Sequence, residues 1–71
     1  MTLKEYFAGR SRGAKADLAE RLGISRTWMS QIISGRRVPS PELSVEIERL
    51  TLGQVRRADL RPDLFGENYV G

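Results

Sequence analysis

The stretch from Lys15 to Arg37, KADLAERLGISRTWMSQIISGRR, decides the fold. Two short runs with helical apolar spacing stand on either side of Gly23. Leu18 and Leu22 make the stripe of the first, flanked by Ala14 and Ala19; Met29 and Ile32 make the stripe of the second. Gly23 suits a left-handed helix end, and Ser25 is a favoured N-cap for a new helix from Arg26 to Ile33 or Ser34, which Gly35 ends. The link is too short for the two helices to lie antiparallel and too sharp for them to run on as one. Ala19 is small enough for a close approach, so Leu18, Leu22, Ile24, Met29 and Ile32 are expected to share one core. That is the physical requirement of a helix-turn-helix, a rigid wedge that presents its second helix outward.

The outward face of that second helix is polar and carries no carboxylate. At about 100° per residue, Met29 and Ile32 fall on the core side, and Arg26, Thr27, Ser30, Gln31 and Ser34 fill the opposite arc. A solvated helix face commonly mixes charge signs. This one holds one Arg and four hydrogen-bonding neutral side chains, the residue types that read base edges and phosphates in a DNA major groove. Trp28 lies on the border between the two arcs. It is a candidate for contact with DNA, but packing on the first helix or the edge of the core is the favoured reading.

Outward from this stretch, the chain reads as helices separated by Gly and Pro. Thr2-x-x-Glu5 is a capping box before Leu3, Tyr6 and Phe7. GRSRG (9–13) is a basic break, after which the second helix is expected from about Ala14 to Leu22. Ser40 as N-cap with Pro41 at the first helical position opens a fourth helix to about Leu52, with Leu43, Ile47 and Leu50 inside and Gly53 beyond its end. Arg56 to Leu60 is a fifth short turn, stopped by Pro62. Val45 and Leu52, seven apart on the fourth helix, form a second apolar stripe and a candidate dimer contact. The expected architecture is all-α: one compact bundle of four to five helices over residues 1–65, with a tail over 66–71 that is expected to be mobile, the alternative being that Tyr69 and Val70 augment a partner.

Composition bounds the function. Seventy-one residues, 39% of them apolar, supply one small core; a chain of this size buries only about 60% of its unfolded surface. That excludes a two-domain enzyme with a deep interdomain cleft. With no Cys and no His, a disulfide framework, a Cys/His zinc site and a His general base are excluded. No apolar run reaches the roughly 20 residues of a membrane-spanning helix, and MTLKEYFAGR lacks the apolar stretch of a signal peptide. A reduced, cytoplasmic protein without cofactor or metal is expected. Asp17 and Glu20 share a helix face, but no nucleophile or base stands beside them, so they read as solvated surface. Charge is uneven: residues 1–38 hold eight Lys and Arg against three Asp and Glu, net +5, and residues 39–71 hold four against six, net −2. A basic half on a small domain points to a polyanion.

These residues carry a resemblance. KADLAERLGISRTWMSQIISGRR resembles the helix-turn-helix of the Cro/CI-type phage repressors, whose fold is lambda-repressor-like. Ala19, Gly23 and Ile32 fall where that family has its small residue, its turn glycine and its buried aliphatic. The continuation SGRRVPSPELSVEIERLT, with ADLRPDLF after it, is similar to the YdaS-type Cro-like regulators of bacterial prophages. The likeness spans about residues 14–65. It implies that Lys15 and Ser25 contact phosphates at two helix N-termini, that Arg26, Thr27 and Gln31 read bases with Ser30 a weaker reader, and that Ser34, Arg36 and Arg37 hold the DNA backbone. The chain departs from the family at Gly13-Ala14, which offers no capping side chain, and at Arg56, where the subgroup often has Thr.

The function expected from residues and resemblance together is sequence-specific binding of a double-stranded DNA operator by a Cro-like prophage repressor. One such helix reads too few bases for useful specificity, so two copies are expected on a two-fold site with half-sites about 34 Å apart, paired beforehand or only on DNA. The rival is an antitoxin or protein-interaction module that grips a toxin through Val45, Leu52 or the tail. RNA binding is disfavoured because exposed aromatics for base stacking are scarce. No catalytic constellation marks the chain as an enzyme.

Overall fold

Two backbone hydrogen bonds shape the middle of the molecule. In the computed structural model, which describes residues 1–66, Gly23 adopts φ 72°. Its N–H reaches the Glu20 carbonyl at 3.1 Å, while the Ile24 N–H reaches that of Ala19 at 3.0 Å. This double closure ends one helix and turns the chain out of its axis before the next begins. The left-handed φ is one that a side chain disfavours, which is why glycine stands there.

The elements are α1 (Leu3–Ala8), α2 (Arg12–Leu22), α3 (Arg26–Ile33), α4 (Pro41–Leu50), α5 (Arg57–Leu60) and α6 (Pro62–Phe65). The fold is all-helical, a small helix-turn-helix domain with α2 and α3 as the wedge. Among the described residues there is no strand, and there are six helices rather than four or five. Pro62 separates α5 from the next turn as expected, since the residue before a proline is pushed out of the helix. It then opens α6 from the first helical position.

Caps place three of the helices where the sequence puts them. Thr2 and Glu5 form the reciprocal capping box, Ser25 Oγ accepts the Trp28 N–H at 3.0 Å, and Ser40 Oγ accepts the Leu43 N–H at 3.1 Å. The second helix differs. It starts at Arg12 with Ser11 as N-cap, two residues before Ala14. Gly13 lies in its exposed first turn, where it forfeits little packing and does not break the helix.

The core is Leu3, Phe7, Leu18, Ala19, Met29, Ile32, Ile47 and Val55. Leu22 and Ile24, expected inside, are half-buried. Val55 is fully buried and has no periodic partner to announce it. Thr51 brings it in. The Thr51 hydroxyl lies 2.8 Å from the Ile47 carbonyl and accepts the Val55 N–H at 3.1 Å. The end of α4 corrects the expected Val45–Leu52 stripe. The helix stops at Leu50, and Leu52 sits beyond it at φ 55°. The Leu52 N–H bonds to Arg49 and the Gly53 N–H to Glu48, at 3.1 and 2.8 Å. Val45 is half-buried and Leu52 is 88% exposed; they do not share a stripe on one continuous helix.

The C-terminal turns are fastened by arginines. Arg57 grips the Glu48 carboxylate with Nε and Nη2, both at 3.2 Å, and its N–H bonds to the same group at 2.7 Å. These bonds hold the Glu48 carboxyl below the ordinary carboxylate range. Arg61 chelates Asp63 and donates to the Pro39 carbonyl at 3.0 Å. That last bond joins the DLRPD string to the loop between α3 and α4. At Arg56 the helix start is held without Thr, because the Arg56 N–H donates to Asp59 at 3.0 Å.

Candidate nucleic-acid interface

The surface of α3 is set by its two ends. At its start, the Ser25 cap leaves Arg26 and Thr27 exposed in the first turn. At its finish, Gly35 takes φ 81°, and the N–H groups of Arg36 and Gly35 close on the Gln31 and Ile32 carbonyls at 2.9 and 3.2 Å. The chain therefore leaves α3 on its outer side, with Arg36 and Arg37 exposed. Met29 and Ile32 are buried as the angular reading requires.

The structure brings most of the sequence-predicted residues together, in two neighbouring depressions. Thr27, Ser30, Gln31, Ser34 and Arg36 line one shallow groove along α3. A cleft of about 290 Å³ lies between α3 and the start of α2, and Lys15, Arg26 and Ser30 line it. Arg12 lines the same cleft, and sequence reasoning left it out because it placed the start of α2 two residues too late. With α2 beginning at Arg12, Lys15 stands at its fourth residue rather than at its N-terminus. A correct reading of Ser11 as the cap would have found Arg12. Ser34 turns its hydroxyl toward the Gln31 carbonyl at 3.2 Å.

Trp28 resolves toward the core. It is half-buried, packed against the core cluster, and its Nε1–H is buried without a protein acceptor. The Arg37 guanidinium carbon lies 4.8 Å from its ring centroid, a cation–π distance. Arg37 is thus drawn back onto its own chain, whereas Arg36 faces the α3 groove.

The disposition of ion pairs sharpens the charge asymmetry. Arg49, Arg57 and Arg61, three of the four basic residues after position 38, are paired with Glu46, Glu48 and Asp63. Of the eight before it, only Arg21 is paired among the described residues, with Asp17. Lys4, Arg10, Arg12, Lys15, Arg26, Arg36 and Arg37 are without a carboxylate partner among the described residues. Most of the positive charge of the helix-turn-helix half is therefore unpaired among the described residues. No group of three or more metal-ligating residues occurs among the described residues. No described helix is long and apolar enough to cross a membrane.

An all-helical domain with a helix-turn-helix, and with cations beside it that have no carboxylate partner among the described residues, is the class this geometry defines. Residues 7–69 match the family described as bacterial toxin YdaS, and the chain belongs to that family. It is also similar to a prophage transcriptional regulatory protein of Escherichia coli (strain K12), with 25% identity over 63 residues, 89% of this chain and 96% of that relative.

Proposed function

We propose that this chain is a sequence-specific double-stranded DNA-binding regulator of transcription, a Cro-like repressor of prophage origin. The observation that carries this reading is that the cations left unpaired among the described residues gather in the half that holds α2 and α3. The likeness to a prophage transcriptional regulatory protein supports it. In the proposed complex α3 lies in the major groove with Thr27, Ser30 and Gln31 at the base edges. Lys15, Ser25, Ser34 and Arg36 hold phosphates, and the bound protein blocks polymerase. Arg37 contributes charge from its place on Trp28. Two copies occupy a two-fold site, half-sites about 34 Å apart. Leu52 is the more accessible of the two residues first assigned to a dimer contact. The protein would work in the bacterial cytoplasm and needs no cofactor.

Fluorescence anisotropy at physiological salt tests the reading, with duplex DNA from upstream of the chain's own gene and a scrambled duplex of the same length. A preference of about 10³ or more is expected. Equal weak binding to both overturns it and leaves only counterion release. The family description as a toxin favours one rival, action on a partner protein. A pull-down with the neighbouring gene product, blocked by Leu52→Asp, would support that rival.

A further inference from the structure

We propose that Arg26 is a phosphate-holding residue, joined by Arg12 and Lys15 around one DNA backbone phosphate, and that sequence is read in the neighbouring groove by Thr27 and Gln31. The inference rests on the DNA-binding reading above and departs from the role that family resemblance gives Arg26.

The cleft between α2 and α3 sets three cations, Arg12, Lys15 and Arg26, around a floor that includes Met29, with Ser30 at the edge. Among the described residues, no carboxylate lines it and none of the three cations is in an ion pair. Like charges converging on one cleft repel each other. An anion placed among them relieves that repulsion. The anion of DNA is the phosphate diester, which guanidinium groups bind through paired N–H donors. A guanine edge supplies acceptors but no net charge, so directing Arg26 there would leave Arg12 and Lys15 uncompensated.

The second groove has the complementary chemistry. Thr27, Ser30, Gln31 and Ser34 line it with Arg36 at one end. It is a row of neutral donors and acceptors, the type that distinguishes base pairs. Of the α3 residues, only Ser30 lines both depressions, and Arg26 lines the cationic one alone. Position along the helix makes Arg26 look like a reader. Its placement beside α2 gives it a different partner.

Selection from a pool of randomised duplexes tests this with the wild type, Arg12→Ala, Arg26→Ala and Gln31→Ala. All three positions are solvent-accessible, and unchanged circular-dichroism melts confirm that each variant folds. The same consensus is expected for the wild type, Arg12→Ala and Arg26→Ala, and an altered one for Gln31→Ala. On the selected duplex and a scrambled one, Arg12→Ala and Arg26→Ala should each lose affinity by the same factor, roughly tenfold, as expected for a charge-assisted contact. A consensus changed by Arg26→Ala, or a loss confined to the selected duplex, overturns the proposal. So does undiminished binding of Arg12→Ala to both duplexes. If the wild type enriches no consensus, the DNA-reading function itself fails and takes this assignment with it.

Discussion

Replacing Leu52 with Gly should stabilise the protein. Leu52 holds φ 55° in the turn after α4, a left-handed conformation that costs an L-residue about 1–2 kcal/mol. Glycine removes that strain but adds unfolded-state entropy, about 0.5–1 kcal/mol in the opposite direction. The leucine side chain is 88% exposed, so its removal forfeits only about 0.3 kcal/mol of burial. The balance favours Leu52→Gly by about 0.5 kcal/mol, which in a domain this small raises the melting temperature by about 2–4 °C. Leu52→Ala keeps the backbone strain and loses the side chain, so it should melt below Leu52→Gly. Thermal melts by circular dichroism at two protein concentrations are the assay, because loss of a subunit contact depends on concentration and backbone strain does not. A Leu52→Gly protein that melts at or below the wild type at both concentrations refutes the reasoning.

Three further outcomes are expected. Thr51→Val keeps the shape of a buried side chain but strands the Val55 N–H that Thr51 accepts, and should lower stability by about 1–3 kcal/mol in urea unfolding; Thr51→Ser should retain most of it. Arg36→Ala should reduce the salt dependence of DNA binding by about one unit of log–log slope; Arg37→Ala should reduce it less, while shifting Trp28 emission to the red by uncovering the ring. Stability should be flat between about pH 5 and 7, where histidine would titrate, since the chain has none. Hydrogen bonds from Arg57 depress Glu48 below its ordinary 4.5, and those from Arg61 depress Asp63 below its ordinary 3.8. Each contributes stability that is fully present above those values and is lost as pH falls through the lower folded ones, so melting temperatures should fall below about pH 4.5.

The helix-turn-helix was legible because its determinants are local. Gly23, Ser25, Gly35 and the Ser40-Pro41 pair each dictate the backbone within a few residues, and the periodicity of Met29 and Ile32 fixes which side of α3 faces inward. Legibility failed where a local rule met competing context. Gly13 looked like a breaker because its exposure in a first turn is not written beside it. Gly53 looked like the residue that ends α4, yet the helix stops at Leu50, and Leu52 takes the left-handed region together with Gly53. Pro62 both stops one helix and starts another, and a single-residue rule registers only the first. In the candidate site, the arc of Thr27, Ser30, Gln31 and Ser34 followed from angle alone. Arg12 was missed through the misplaced start of α2.

By itself, then, the sequence determined the fold class, the wedge of α2 and α3, the polar arc of α3 and the positive charge of the first half. These depend on caps, helical period and counting. Only the tertiary structure decided which charges stay unpaired, that Arg37 lies on Trp28, and that Arg61 ties the last turns to Pro39 across 22 residues. It also decided that Arg26 shares a cleft with Arg12 and Lys15. Each of these depends on where long side chains on the helices and in the loops between them come to rest. Their flexible stems let one residue face several partners, and only the packed backbone selects among them.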